Sequence, residues 1–88
     1  MAVPFPLQEH HRFGMGVHEL VHDGSNFQES MWLRLWQARV KHLYPDERLI
    51  PSGMVDKATQ RIAIALQHEA GLPEDGYINE ETWYLAWQ

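Results

Sequence analysis

Two stretches of this chain, Gly53-Met54-Val55-Asp56-Lys57-Ala58-Thr59 and Gly76-Tyr77-Ile78-Asn79-Glu80-Glu81-Thr82, follow one pattern, G-x-[V/I]-[D/N]-x-x-T, and begin 23 residues apart. The pattern has a physical reading at each position. Glycine permits a turn with positive φ, the aliphatic residue plugs a core, and Asp or Asn caps a helix. The threonine three residues past the cap can answer it with its hydroxyl. Two independent helix starts would look the same, but an internally repeated helix-start unit explains the spacing better.

The periodicity around these units predicts three helices. The first opens near Ser25 or Asn26, both of which have a Gln or Glu three residues on. Trp32, Leu35, Trp36, Val40 and Leu43 then recur at three- and four-residue steps as one apolar face. Tyr44-Pro45 stops the helix, because the residue before proline is pushed out of the helical region. The second helix is expected from about Asp56 to Ala70, with Gly71 as its left-handed cap. Its middle, Ile62-Ala63-Ile64-Ala65-Leu66, is apolar on almost every side, so it is expected to be central and buried on more than one face. The third begins after Asn79, with Ile78 and Trp83 placed as a hydrophobic staple.

Residues 1–25 differ. They hold four of the six His, three of the six Gly, and Pro4 and Pro6, a composition of loops rather than long elements. Phe5, Leu7, Phe13 and Met15 give this segment something to bury. The expected fold is therefore all-α: a small three-helix bundle over 26–88, with a packed, irregular N-terminal arm over 1–25.

Eighty-eight residues suit one domain. No apolar run approaches roughly 18 residues, so no membrane span and no membrane partner are expected. The start, MAVPFPLQEHHR, lacks the basic head and apolar stretch of a secretory signal. The absence of cysteine excludes disulfides and thiolate metal sites. A formal net charge of −5, with seven basic residues that never form a run, argues against nucleic acid.

These elements, in this order, resemble the type 1 peptidoglycan-binding domain family. The resemblance is carried by Trp36-Gln37 in the first helix, Gly53 to Thr59 at the second helix start, and Leu66-Gln67 closing the second helix. Gly71-Leu72-Pro73-Glu74-Asp75-Gly76 and Thr82-Trp83 complete it, over about residues 29–88. The chain departs from the family pattern at Ser52, where Asp is usual, at Asp56 and Asn79, where the second turn glycine is usual, and at Leu66, where Phe is usual. Phe5-Pro6-Leu7 and His11-Arg12-Phe13-Gly14 are similar to a leader that precedes such modules in lytic proteins of actinobacterial phages.

The resemblance implies a noncatalytic module that docks a protein onto bacterial peptidoglycan, through glycan or stem peptide. It also implies a covalently linked catalytic domain, as in a phage endolysin, working on the extracellular side of the bacterial wall without its own signal peptide. A monomer with no cofactor and no catalytic residue is expected. Candidate ligand-binding residues are Trp36, Arg39, Asp75, Tyr77, Trp83 and Tyr84. Against that stand ordinary roles: core for the tryptophans, turn for Asp75, solvated surface for Arg39. Gln37 and Gln67, at the family's recurrent glutamine positions, are expected to bond backbone groups of a neighbouring turn. A small phage protein-interaction module of the same fold is the alternative.

One motif points elsewhere. His18-Glu19-Leu20-Val21-His22 is H-E-x-x-H, which on a helix would place two imidazoles and a general base on one zinc. A zinc hydrolase needs a third ligand. Ser25 and Gln28 occupy the positions where the extended motif has Gly and His, and Gly14 and Gly16 weaken a helix here. Ordinary loop residues are expected, with no metal assigned and adventitious metal binding by the His-rich arm left open.

Overall fold

The computed structural model describes residues 2–16 and 18–88. Three helices form, each opened by a side-chain cap that its sequence provides. In α1 (Phe27–Leu43) the Asn26 side chain accepts from the Glu29 N–H at 3.1 Å. In α2 (Lys57–Ala70) Asp56 accepts both the Thr59 N–H at 2.8 Å and the Thr59 hydroxyl at 2.6 Å. In α3 (Glu80–Leu85) Asn79 accepts from the Thr82 N–H at 2.9 Å. Each such cap stabilises its helix by about 1 kcal/mol. Ser25 does not cap; its N–H bonds the Asp23 carboxylate. Gly71 ends α2 at φ 72°, the left-handed conformation glycine adopts without cost. Tyr44 ends α1 ahead of a 3₁₀ turn over Pro45–Glu47.

The molecule is mostly helical, with one departure from the all-α expectation. Two short strands, β1 (Arg12–Phe13) and β2 (Val21–His22), pair in parallel within the arm. The reason lies in Phe13, which is fully buried in the core. Burying it also buries its backbone, whose polar groups then need partners. Ile78 supplies both: Phe13 N–H to Ile78 O at 3.0 Å, and Ile78 N–H to Phe13 O at 2.9 Å. On either side, Arg12 N–H bonds Leu20 O and Gly14 N–H bonds His22 O. The arm is thus stitched to the turn before α3 and shares one core with the helices.

Trp83 is the centre of that core. Its ring lies 5.7 Å from Phe5, 5.8 Å from Phe13, 6.4 Å from Trp36 and 5.5 Å from Trp87. Such pairs contribute about 0.5–1.5 kcal/mol each beyond their burial. Ile62, Ala63 and Leu66 supply α2's share, and Ile78 sits with Trp83 in the same cluster. Ile64 and Ala65 are only half-buried, so α2 presents one main face inward rather than being enclosed all round.

The apolar face of α1 also differs from expectation. Leu33, Trp36, Gln37 and Val40 point inward, whereas Trp32, Leu35 and Leu43 are exposed. The helix is rotated so that the Gln37 amide reaches the turn ahead of α2, and that rotation turns Leu35 outward.

Candidate functional site

The two repeated helix starts are each gripped by a glutamine from the preceding helix. Gln37 accepts from Gly53 N–H at 2.8 Å and donates to Met54 O at 2.8 Å and Thr59 Oγ1 at 2.9 Å. Gln67 repeats the arrangement on the second unit. It accepts from Gly76 N–H at 3.1 Å and donates to Tyr77 O at 2.8 Å and Thr82 Oγ1 at 3.0 Å, with a further bond to Asp75 at 3.0 Å. Both carboxamides are buried and use both ends, so neither turn is left with orphaned polar groups. Gly53 and Gly76 take φ 84° and 77°, which aims their N–H groups at the glutamines.

Around these clasps the six candidate residues fall into two groups. Trp36, Arg39, Trp83 and Tyr84 line the seam between α1, α3 and the arm. Trp36 donates its indole N–H to Trp83 O at 3.1 Å, Trp83 donates to Val3 O at 2.7 Å, and both rings are fully buried. Neither ring therefore offers a face to a ligand; of the two roles given for these tryptophans, ligand contact or core, both occupy the core. Arg39 is exposed, with its Nε–H bonded to Ala86 O at 2.7 Å. The Tyr84 hydroxyl accepts from Phe5 N–H at 3.1 Å, which draws the ring under the arm. Asp75 and Tyr77 form the second group, in the turn before α3. Asp75 accepts from Tyr77 N–H at 2.9 Å. Tyr77 is half-buried, with the Arg12 guanidinium 4.7 Å above its ring and Gly14 packed so closely on it that a Cβ there would collide with the ring.

A hollow of about 680 Å³ lies between the arm and the start of α3, and none of the six candidate residues lines it. Its arm wall carries Glu9 and Arg12 with His10 and His11 between them, its helix wall Glu80 and Glu81, and Phe5, Leu7 and Leu20 add apolar lining. Among the described residues no carboxylate pairs with Arg12, and its buried Nε finds no hydrogen-bond partner. The hollow thus offers one cation, Arg12, with Glu9 on the same wall and Glu80 and Glu81 on the opposite one.

Residues 18–22 do not form a helix. His18 sits in an isolated bridge to Val21, and His22 is in β2. His22 instead stands between two partners: its Nδ1 is 2.8 Å from Glu29 Oε1, and its Nε2 is 2.7 Å from His11 Nδ1. One proton serves the His11–His22 contact, so one ring donates and the other accepts. These contacts tie β2, and the residue just before β1, to the first turn of α1. Among the described residues no group of three or more His, Cys, Asp or Glu is arranged to hold a metal ion. Next to it, Asp23 is held below the usual carboxylate range, chiefly by hydrogen bonds from the Ser25 side chain and backbone.

Sequence reasoning missed the partners of Arg12, His11 and Glu29, because each depends on strand pairing inside the arm. Compared with family models, with curated proteins and with solved structures, the chain matches none of them.

Proposed function

We propose that this protein is a noncatalytic module that binds bacterial peptidoglycan and holds a lytic enzyme, such as a phage endolysin, against the wall. The observation that carries the reading is the doubled glutamine clasp. The residues through which the sequence resembles peptidoglycan-binding domains, Gln37 with Gly53 and Thr59, and Gln67 with Gly76 and Thr82, are used in the same way twice. That makes the motif a working framework rather than a chance string.

The ligand surface that suits this reading is the hollow between the arm and α3. A stem peptide offers carboxylate and amine groups, which Arg12 on one wall and Glu80 and Glu81 on the other would receive. Recognition relies on these local contacts, because a module of formal charge −5 gains nothing from long-range attraction to an acidic wall. A single module binds weakly, and the repeating polymer supplies avidity.

The test is co-sedimentation with purified peptidoglycan sacculi, with and without a chelator. Pelleting that ignores the chelator, falls with Arg12→Gln or Glu81→Gln and survives Arg61→Gln is the expected result. A protein that stays in the supernatant at every sacculus concentration overturns the proposal.

A further inference from the structure

The rotation of α1 that buries Gln37 leaves an apolar stripe facing outward. Phe27, Met31 and Leu35, spaced four residues apart, are 78%, 54% and 50% exposed. Basic residues flank the stripe on both sides. Arg34 and Lys41, seven apart, run along one edge; Trp32 and Arg39, also seven apart, run along the other. No exposed residue of α1 is acidic.

This distribution runs against the rest of the chain. Helix α1 has three basic residues against one acidic, a formal +2, and its single acid, Glu29, is engaged by His22. The remainder has four basic residues against eleven acidic, a formal −7. A positive, apolar face on an otherwise acidic protein is complementary to something anionic on its outside and oily within.

The shape of the face narrows the occupant. The shallow depression at Trp32 is walled by Gln28, Met31, Trp32, Arg34 and Leu35, all from one helix. With no second element to form a groove, an extended peptide has nothing to lie in. A second copy of the chain would oppose Arg34, Arg39 and Lys41 to themselves in a two-fold contact. A flat surface suits a convex helix of this kind.

We propose that the outward face of α1 lies on the surface of an anionic lipid bilayer, its apolar stripe at the headgroup boundary and its basic edges on lipid phosphates. No helix of the described residues is long and apolar enough to cross a membrane, and lying on one requires only a face. The absence of an apolar run, from which no membrane partner is expected, leaves this mode untouched. The acidic remainder does not forbid it, since the molecule is 25–29 Å across and charges are screened beyond about 8 Å at physiological salt. The proposal is independent of wall binding, because purified sacculi contain no lipid.

Trp32, at 40% exposure, is a built-in reporter: Trp36 and Trp83 are fully buried, and Trp87 is partly buried against the core and off this face. The experiment mixes the whole protein with vesicles of phosphatidylglycerol and phosphatidylcholine in equal parts, and with vesicles of phosphatidylcholine alone. Pelleting and a blue shift of tryptophan emission are expected with the first and not the second. Raised salt should weaken binding of the unmodified protein. Phe27→Ser with Leu35→Ser should abolish it, and Arg34→Glu should weaken it by roughly tenfold. Trp32→Phe should remove the emission shift while pelleting persists. All four positions are exposed, so unchanged circular dichroism is expected, and the salt series needs no variant at all. No pelleting with either vesicle overturns the proposal, as does pelleting that ignores both salt and the substitutions. A dimer in sedimentation analysis that Leu35→Ser dissolves would assign the face to a second copy instead.

Discussion

The indole N–H of Trp83 donates to the carbonyl oxygen of Val3 at 2.7 Å, joining positions 80 residues apart. Through this bond the first residues of the arm cover the ring at the centre of the core, and Phe5 adds edge contacts to both Phe13 and Trp83. The arm is therefore a structural part of the domain. Phe13→Ala should cost about 4 kcal/mol and Phe5→Ala, which is only partly buried, about 2 kcal/mol. Urea unfolding measures both; two near-zero values would mean that the arm is not packed as described.

The clasps make a sharper prediction about chemistry than about size. Gln67→Met keeps the volume but leaves Gly76 N–H, Tyr77 O and Thr82 Oγ1 without their partner, at a cost of about 2–4 kcal/mol. Gln37→Met should do the same to the turn at Gly53. Thermal unfolding at neutral pH checks both, and a variant as stable as the parent would show that these bonds are replaceable by water.

Two glycines with positive φ should respond unequally to alanine. At Gly71 a Cβ meets open space, so Gly71→Ala carries only the conformational penalty, about 1 kcal/mol. At Gly24, φ 98°, a Cβ would collide with the Gly53 carbonyl oxygen, and both backbones would have to move. Gly24→Ala should therefore cost more than about 3 kcal/mol. Equal losses in chemical denaturation would contradict the close approach of these two loops.

The pH response has a definite sign at two places. His68 Nδ1 lies 2.9 Å from Glu74, and this hydrogen bond and charge raise the imidazole above its ordinary value of 6.5. A raised folded value stabilises fully below 6.5 and is lost as pH rises through the folded value. Asp23 behaves oppositely: held below 3.8 by Ser25, it stabilises above that value and loses the contribution as pH falls through its folded value. NMR titration of His68 should show a midpoint above 6.5 that returns toward it in Glu74→Gln. An identical midpoint in the variant would remove Glu74 as the cause.

The helix boundaries were legible because they are written in local chemistry. Asn26, Asp56 and Asn79 cap, Gly71 turns, and Pro45 forbids, each within a few residues of its effect. The roles of Gln37 and Gln67 were legible for the same reason, since the turns they bond follow in a recognisable pattern. The inward face of α1 was not. Trp32, Leu35 and Leu43 are as apolar as Leu33 and Val40, and what decides between them is the rotation that brings a polar amide to Gly53. Strand pairing in the arm was illegible because two-residue strands carry no alternation, so the surroundings of Arg12, His11 and His22 were hidden with it.

The clasps and the arm also differ in how far along the chain each contact must reach. Gln67 finds Gly76 across 9 residues and Gln37 finds Gly53 across 16, while Trp83 finds Val3 across 80. Closing a loop costs more entropy the longer it is, by about 0.6 kcal/mol per doubling. The two helix starts can thus assemble early and locally, whereas the arm settles only on a helical framework that already exists. Such a chain folds from its middle and end back toward its beginning, and native-state hydrogen exchange should find the Phe13 amide opening before that of Gly76. The segment that completes the aromatic core is then also the first to let water into it.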